Sequence, residues 1–492
     1  MESVTNKMQI ISSVCESGFS IQKALTDVKE DGIVSSFFRV CCTDERESFK
    51  IRKRTRKEPN CMKIVIVGGG WAGCAAAVRA AKAGAETVLL ERTDMLLGTG
   101  QVGGIMRNNG RWTAAEECIA MGGGELFQLI DSCCRHKNIS FPGHAHASLY
   151  DVGKTPGKTE QYLRSLGIHL RFQSRVTGVE LDGSQLKAVK LQDGTRFSAD
   201  AFLDTTGTAG PTQNCTKYGN GCAMCILRCP SFGGRISLTG LCGIPEMHGK
   251  KADGSIGAMS GSCKLMKGSL APEIVEQLDR DGVVVVPLPP ELCEDHLSLK
   301  ACQQYALPAY SQNLVLLDTG HAKLMTPYFT LAQLHKVPGF ETARYEDPYA
   351  GGKGNSMRFF AMAPRDDTLR VQGMDNLFCA GEKSGLLVGH TEAIATGTLA
   401  GWNAVQCARG LPLLTLPDTL AVGDAVHFVR EQMKTEEGVR KKFTFSGSVL
   451  FAHMKERGLY TTNTVEVQER VAEAGLTNVF AGEQISHDKN RT

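Results

Sequence analysis

The sequence predicts an α/β fold: a parallel sheet with crossover helices, interrupted by an inserted α+β domain. Three stretches carry that prediction. "KIVIVGGGWAGCAAAVRAAKAGAETVLLER" reads as a strand, a glycine turn, a helix and a second strand. "IHLRFQSRVTGVELDGSQLKAVKLQDGTRFSADAFLDTTG" reads as short alternating strands that return to a buried one. "MDNLFCAGEKSGLLVGHTEAIATGTLAGWNA" reads as a strand, a glycine-rich loop and a helix. A long interval separates the last two, so the chain leaves the sheet and comes back.

Composition bounds the rest. A chain of 492 residues is long enough for two connected domains, and 42% hydrophobic with 22% charged residues is ordinary for a globular protein. Disorder throughout, a coiled coil and a fibre are excluded. No run of about 18 apolar residues occurs, so no membrane partner is expected. A net charge of +3 does not announce a nucleic-acid binder, although a local patch could serve. The 18 cysteines, with no leader pattern ahead of them, point to reduced thiols and a cytoplasmic location.

Residues 1–61 read as a flexible extension, with six basic residues between Lys50 and Lys57, and are expected to be dispensable for folding. The first domain segment, 62–210, opens with the strand Lys63–Val67. Gly68, Gly70 and Gly73 satisfy G-x-G-x-x-G: Gly68 for the tight turn, Gly70 for backbone approach to a pyrophosphate, Gly73 for close helix–strand contact. Ala72 sits in the same turn, at the start of a helix reaching about Ala83. The second strand ends at Glu91 and Arg92, where the Glu91 carboxylate suits two ribose hydroxyls and repels a 2′-phosphate.

After Ile168, Asp-Gly turns at 182–183 and 193–194 divide an antiparallel meander that begins near Val176. The buried strand Ala201–Asp204 then stops at Thr206 and Gly207. Residues 211–366 form the inserted substrate domain. Residues 367–410 return to the sheet with a strand Asn376–Ala380, a Gly381-Glu382 turn and a helix from about Thr391 that carries Glu392 and Ala393. Its N-terminal end faces the nucleotide crevice, where it stabilises negative charge. Three segments converging on one site is a flavin arrangement, so the expected cofactor is FAD, with NAD(P)H left open as a transient electron donor.

These residues resemble the GidA-type flavoproteins. "GGGWAG", "ER", "DTTG" and "NLFCAGE…GHTEAIATGTLAGWNA" carry the likeness, and "LPLLTLPDTLAVGDAVHF…KKFTFSGSVLF" resembles the C-terminal module of their folate-dependent methyltransferase branch. It spans about Met62 to Phe451, loosely in the middle. The resemblance implies a Rossmann-type FAD domain like that of glutathione reductase, a C-terminal cap and tail over 411–492, and enzymes that modify uridine in tRNA.

"GNGCAMCILRCPSFGG" brings Cys222, Cys225 and Cys229 together, seven residues and more after Cys215. Three readings stand: iron–sulfur ligands, a catalytic or redox thiol, and packing. In the resembled family a Cys-Pro follows the corresponding strand, and "RCPS" is similar to it. The resemblance implies that Cys229 attacks C6 of a pyrimidine or serves as a redox thiol near the flavin, with Arg228 lowering its pKa. A second family cysteine is replaced here by Gly98. His144 and His146 share a strand and could bind a metal or a carboxylate, with a solvated or pocket-lining strand preferred. Lys353 and Arg358 read as a substrate-domain loop.

The main expectation is an FAD-dependent oxidoreductase passing hydride or electrons to a small-molecule substrate over the isoalloxazine ring. The alternatives are a tRNA uridine-modifying flavoenzyme using Cys229 and a flavin–iron–sulfur electron-transfer enzyme. The oligomeric state stays open.

Overall fold

The computed structural model describes residues 62–207, 228–251, 253–256, 258–260, 263–295, 297, 303–325, 329–346, 356–358 and 360–482. Cys215, Cys222, Cys225, Lys353 and the extension 1–61 lie outside the described residues.

β1 (Lys63–Val67) and β2 (Glu86–Leu90) are short apolar runs buried on both faces, as strands inside a parallel sheet must be. Between them the Ala-rich helix Trp71–Lys82 makes the crossover. β3 (Ile105–Met106), β4 (Cys134–Phe141) and β5 (His144–Tyr150) form a separate three-stranded sheet ordered β3–β5–β4. β6 (His169–Arg171) rejoins the first sheet. The meander is β7 (Val176–Asp182), β8 (Gln185–Leu191) and β9 (Arg196–Ser198), turning at Gly183 and Gly194 as predicted. β10 (Ala201–Asp204) lies parallel to β1, pairing Ile64 with Ala201.

The insertion contributes β11 (Met247–His248), β12 (Ala258–Ser260), β13 (Cys263–Leu265), β14 (Val283–Pro287), β15 (Asn313–Asp318), β16 (Ala322–Leu324), β17 (Ser356–Arg358) and β18 (Ala361–Met362). Four of these make an antiparallel sheet ordered β13–β16–β15–β14. With the helix Pro272–Asp281 it encloses a core of its own around Leu278, Leu314, Leu316 and Phe340. An antiparallel sheet with a helix to one side is the α+β insertion that the sequence predicts.

β19 (Leu377–Cys379) completes the central sheet, ordered β19–β10–β1–β2–β6 with every pair parallel. The helix His390–Arg409 follows and packs on Trp71–Lys82. A Cβ at Gly397 or Gly401 would come within 2.2 Å of the Ala72 carbonyl oxygen or 2.6 Å of that of Ala76. The two glycines, one turn apart, therefore let the helix backbones touch. Three further helices, Ala421–Gln432, Ser448–Glu456 and Thr464–Glu473, close the described chain. Among the described residues no helix is long and apolar enough to cross a membrane.

Candidate dinucleotide site

A parallel sheet presents its binding crevice at the carboxyl ends of its strands. Here the cavity passes Ser174–Val176 beyond β6, Glu91–Thr93 beyond β2, Gly68 beyond β1, Thr205–Gly207 beyond β10 and Gly381 beyond β19. Five strands at about 4.8 Å spacing make a wall roughly 19 Å wide, enough for an extended dinucleotide.

The glycine turn is built as a cradle. Gly68 has φ 109, and a Cβ on it would lie 2.4 Å from the Thr205 carbonyl oxygen. A Cβ on Gly73 would lie 1.9 Å from the Gly68 carbonyl oxygen, so the helix sits directly on the strand. A Cβ on Gly70 would meet nothing within 4 Å. That open space lies at the N-terminus of Trp71–Lys82, where backbone N–H groups favour a pyrophosphate.

Glu91 is held in place by the backbone. Its Oε2 accepts the Gly69 N–H at 2.7 Å and its Oε1 accepts the Thr93 N–H at 2.7 Å. Each oxygen keeps a further lone pair for a ribose hydroxyl. Cradle, carboxylate and wall together fit FAD, and Glu91, Arg92 and Val176 line the cavity beyond β2 and β6. Ala72, Gly381, Glu382 and Ala393 also line the cavity, as do Thr206 and Gly207.

Glu392, expected at the cofactor, points elsewhere. Its carboxylate is buried against Arg111, whose Nε lies 3.1 Å from Oε1, and it accepts the Thr444 hydroxyl at 2.7 Å and the Phe445 N–H at 2.9 Å. With those acceptor sites satisfied, Glu392 serves the packing behind the crevice. Arg111 and Thr444 carry no local signal in the sequence that could have revealed them.

The segment from Arg228 to Arg235 crosses one side of the crevice. Arg92 Nη1 donates to the Gly233 carbonyl at 2.6 Å, and Arg175 Nε to that of Gly234 at 2.8 Å. Arg228, with φ 47, donates to Asp94 Oδ1 at 2.5 Å and stacks over Phe232. The Arg228 hydrogen bond holds the Asp94 carboxyl below its usual range. These partners follow β2 and β6, on the Glu91 side. Cys229 opens the short helix Cys229–Phe232, half-buried and outside the cavity lining. Arg228, expected beside the Cys229 thiolate, thus has a carboxylate partner, Asp94, on the Glu91 side.

His144 and His146 do not act as a pair. His144 is buried, with Nδ1 2.9 Å from Asn108 Nδ2, and burial pushes its pKa down to about 3. His146 Nδ1 lies 3.1 Å from Asn138 Oδ1, so the two rings serve different neighbours. Arg358 ends β17, which pairs with β12. Gly98 lines the cavity with φ 47, and a Cβ there would meet nothing within 4 Å. Trp71 and His390 line the cavity and gather with Tyr150, His390 Nδ1 3.0 Å from the Tyr150 hydroxyl. His390 was legible only as the residue before a predicted helix, and Tyr150 not at all.

A family model described as "Glucose inhibited division protein A" matches residues 63–276 and 321–412. The tRNA uridine 5-carboxymethylaminomethyl modification enzyme MnmG of Granulibacter bethesdensis is 24% identical over 413 residues, covering 73% of this chain and 64% of that protein. The methylenetetrahydrofolate–tRNA-(uracil-5-)-methyltransferase TrmFO of Prochlorococcus marinus is 42% identical over 74 residues, 15% of this chain and 16% of its own. The chain therefore spans less than two thirds of either relative. The form I crystal structure of Aquifex aeolicus GidA shares the fold, with TM-score 0.59 at 16% identity over 85% of this chain and 78% of that one.

Proposed function

Because the chain belongs to the glucose inhibited division protein A family, we propose that it is an FAD-dependent enzyme that modifies a uridine of tRNA. The observation that carries this reading is where the family match falls. The matched stretches contain β1, β2, β6, β10, β19 and the helix His390–Arg409, all the elements that wall the crevice. The relatives' own names favour tRNA over the small-molecule substrate that the sequence first suggests.

Bound FAD would supply two-electron redox chemistry. The chain's residues do the rest. Glu91 takes the ribose hydroxyls, and the turn at Gly70 leaves room for the pyrophosphate. The N-terminus of His390–Arg409 borders the crevice and favours negative charge there. Arg111 neutralises Glu392 in the same first turn, so that this positive end is not offset by a bare carboxylate. The segment 228–235, tied to Arg92 and Arg175, borders the adenosine half in this reading and carries Cys229 with it.

The test uses the purified full chain. Flavin absorbance, binding of tRNA tighter than that of a polyanion of equal length, and an altered nucleoside in tRNA from cells lacking the gene are the expected results. Bound flavin with no tRNA preference and an unchanged nucleoside profile would leave only a flavin oxidoreductase on this scaffold.

A further inference from the structure

We propose that the segment 443–446 is a strap that sets the crevice wall at 386–389, so that its docking and cofactor binding are linked, with Thr444 as the positioning residue. The inference rests on the FAD reading above and does not depend on tRNA.

The chain leading into the helix His390–Arg409 lines the crevice at Val388 and Gly389. Two glycines with positive φ bound it, Gly385 at 141 and Gly389 at 148, a backbone conformation that other residues rarely adopt. Its backbone is paired across to the strap. The Val388 N–H donates to the Phe443 carbonyl at 2.8 Å, and the Phe443 N–H donates to the Leu386 carbonyl at 2.9 Å. Leu387 and Phe443 form a parallel bridge outside the named strands.

The following residues of the strap bond to the groups behind that wall. Thr444, 1% exposed, donates its hydroxyl proton to Glu392 Oε1 at 2.7 Å and accepts from Arg111 Nη2 at 3.1 Å. The Phe445 N–H donates to the same Glu392 oxygen at 2.9 Å, and Asn109 Nδ2 donates to the Ser446 carbonyl at 2.7 Å. Gly389 rests directly on this cluster. A Cβ there would fall 2.0 Å from Glu392 Oε2 and 2.2 Å from Arg111 Nη2. The strap therefore cannot move without taking the wall with it.

A ligand that needs the wall in place binds only the docked strap. By reciprocity it favours docking by the same factor that undocking weakens its own binding. Residues 443–446 lie beyond the family match, which ends at 412.

Hydrogen–deuterium exchange of the full chain, as apoprotein and with FAD at about a hundred times its dissociation constant, tests this without substrate. In the wild type FAD should slow exchange at Val388 and across 443–446 about tenfold or more, and leave the helix Pro272–Asp281 in the insertion unchanged. Thr444→Val keeps the branched shape but removes the hydroxyl between Arg111 and Glu392. It should bind FAD about tenfold more weakly and lose most of the slowing at 443–446, and Thr444→Ser should recover both. A hydroxyl that served stability alone would lower the apoprotein's melting temperature and leave FAD affinity and the slowing as they were. Equal exchange at 443–446 with and without FAD in the wild type, slowing that extends equally to Pro272–Asp281, or wild-type FAD affinity in Thr444→Val would overturn the proposal. Should Thr444→Val fail to fold, the wild-type exchange pattern decides alone. A wild-type chain that takes up no FAD refutes the parent reading instead.

Discussion

Arg111 Nε lies 3.1 Å from Glu392 Oε1, with the side chains 7% and 0% exposed, so a charge pair is sealed behind the crevice. Arg111 also donates to Asn108 Oδ1 at 3.2 Å and to the Thr444 hydroxyl at 3.1 Å. Three stretches distant in the chain thus meet at the first turn of His390–Arg409. A buried pair of this kind fixes geometry more than it adds stability, because desolvation offsets much of the attraction.

Removing one partner exposes that imbalance. Arg111→Met leaves the Glu392 carboxylate buried without a counter-charge, and the expected loss is about 3–5 kcal/mol. Arg111→Met combined with Glu392→Gln should recover much of it. Denaturant unfolding of both single variants and the double one reads the coupling. Strictly additive losses would show that the two groups do not depend on each other.

Glu91→Gln tests the nucleotide end. The amide oxygen can still accept one backbone N–H, but the amide nitrogen confronts the other and the ribose loses charged acceptors. Hydrogen bonds to charged groups contribute about 1.5–3 kcal/mol, so FAD should bind roughly 10- to 100-fold more weakly. Fluorescence titration of apoprotein with FAD measures it. An unchanged dissociation constant would remove Glu91 from the ribose.

Local pattern made the sheet legible. Lys63–Val67 and Ala201–Asp204 fall where alternation and glycine turns put them, and the helix starting at His390 falls one residue from its expected start. Pairing across the chain was not legible. Arg111 and Glu392 are 281 residues apart, and Arg228 and Asp94 are 134 apart, with no periodicity to link them. Arg228, in the chain after β10, meets Asp94, in the loop after β2, a pairing that no local pattern announces.

Asp318 sets an acid limit on the insertion. Burial pushes its pKa up, but hydrogen bonds from Lys267 at 2.6 Å, Arg135 at 2.8 Å and His136 at 2.9 Å outweigh this and hold the carboxyl below its ordinary 3.8. With the folded value depressed, the unfolded chain binds more protons between the two values, so stability falls as pH falls there and is fully present above. Melting temperatures measured from pH 6 downward should drop below about pH 4. Asp318→Asn should flatten that limb, and an equally steep one would assign the acid sensitivity to other carboxylates.

Cys229 and Arg175 separate two uses of the segment that crosses the crevice. Arg175 ties it down through the Gly234 carbonyl, and Arg92 through that of Gly233, both on the Glu91 side. If the segment serves to enclose the adenosine, Arg175→Ala should weaken FAD binding about tenfold or more, the worth of one charged hydrogen bond. Cys229→Ser keeps the size of the side chain but supplies a hydroxyl that stays protonated at neutral pH. Because the thiol lies outside the cavity lining, that variant should retain FAD, with unshifted absorbance bands and turnover within about tenfold of wild type, a change of no more than about 1.4 kcal/mol in the barrier. Turnover lost by a hundredfold or more, with FAD still bound, would place the thiolate in the reaction. It would also mean that the segment leaves the adenosine side during catalysis.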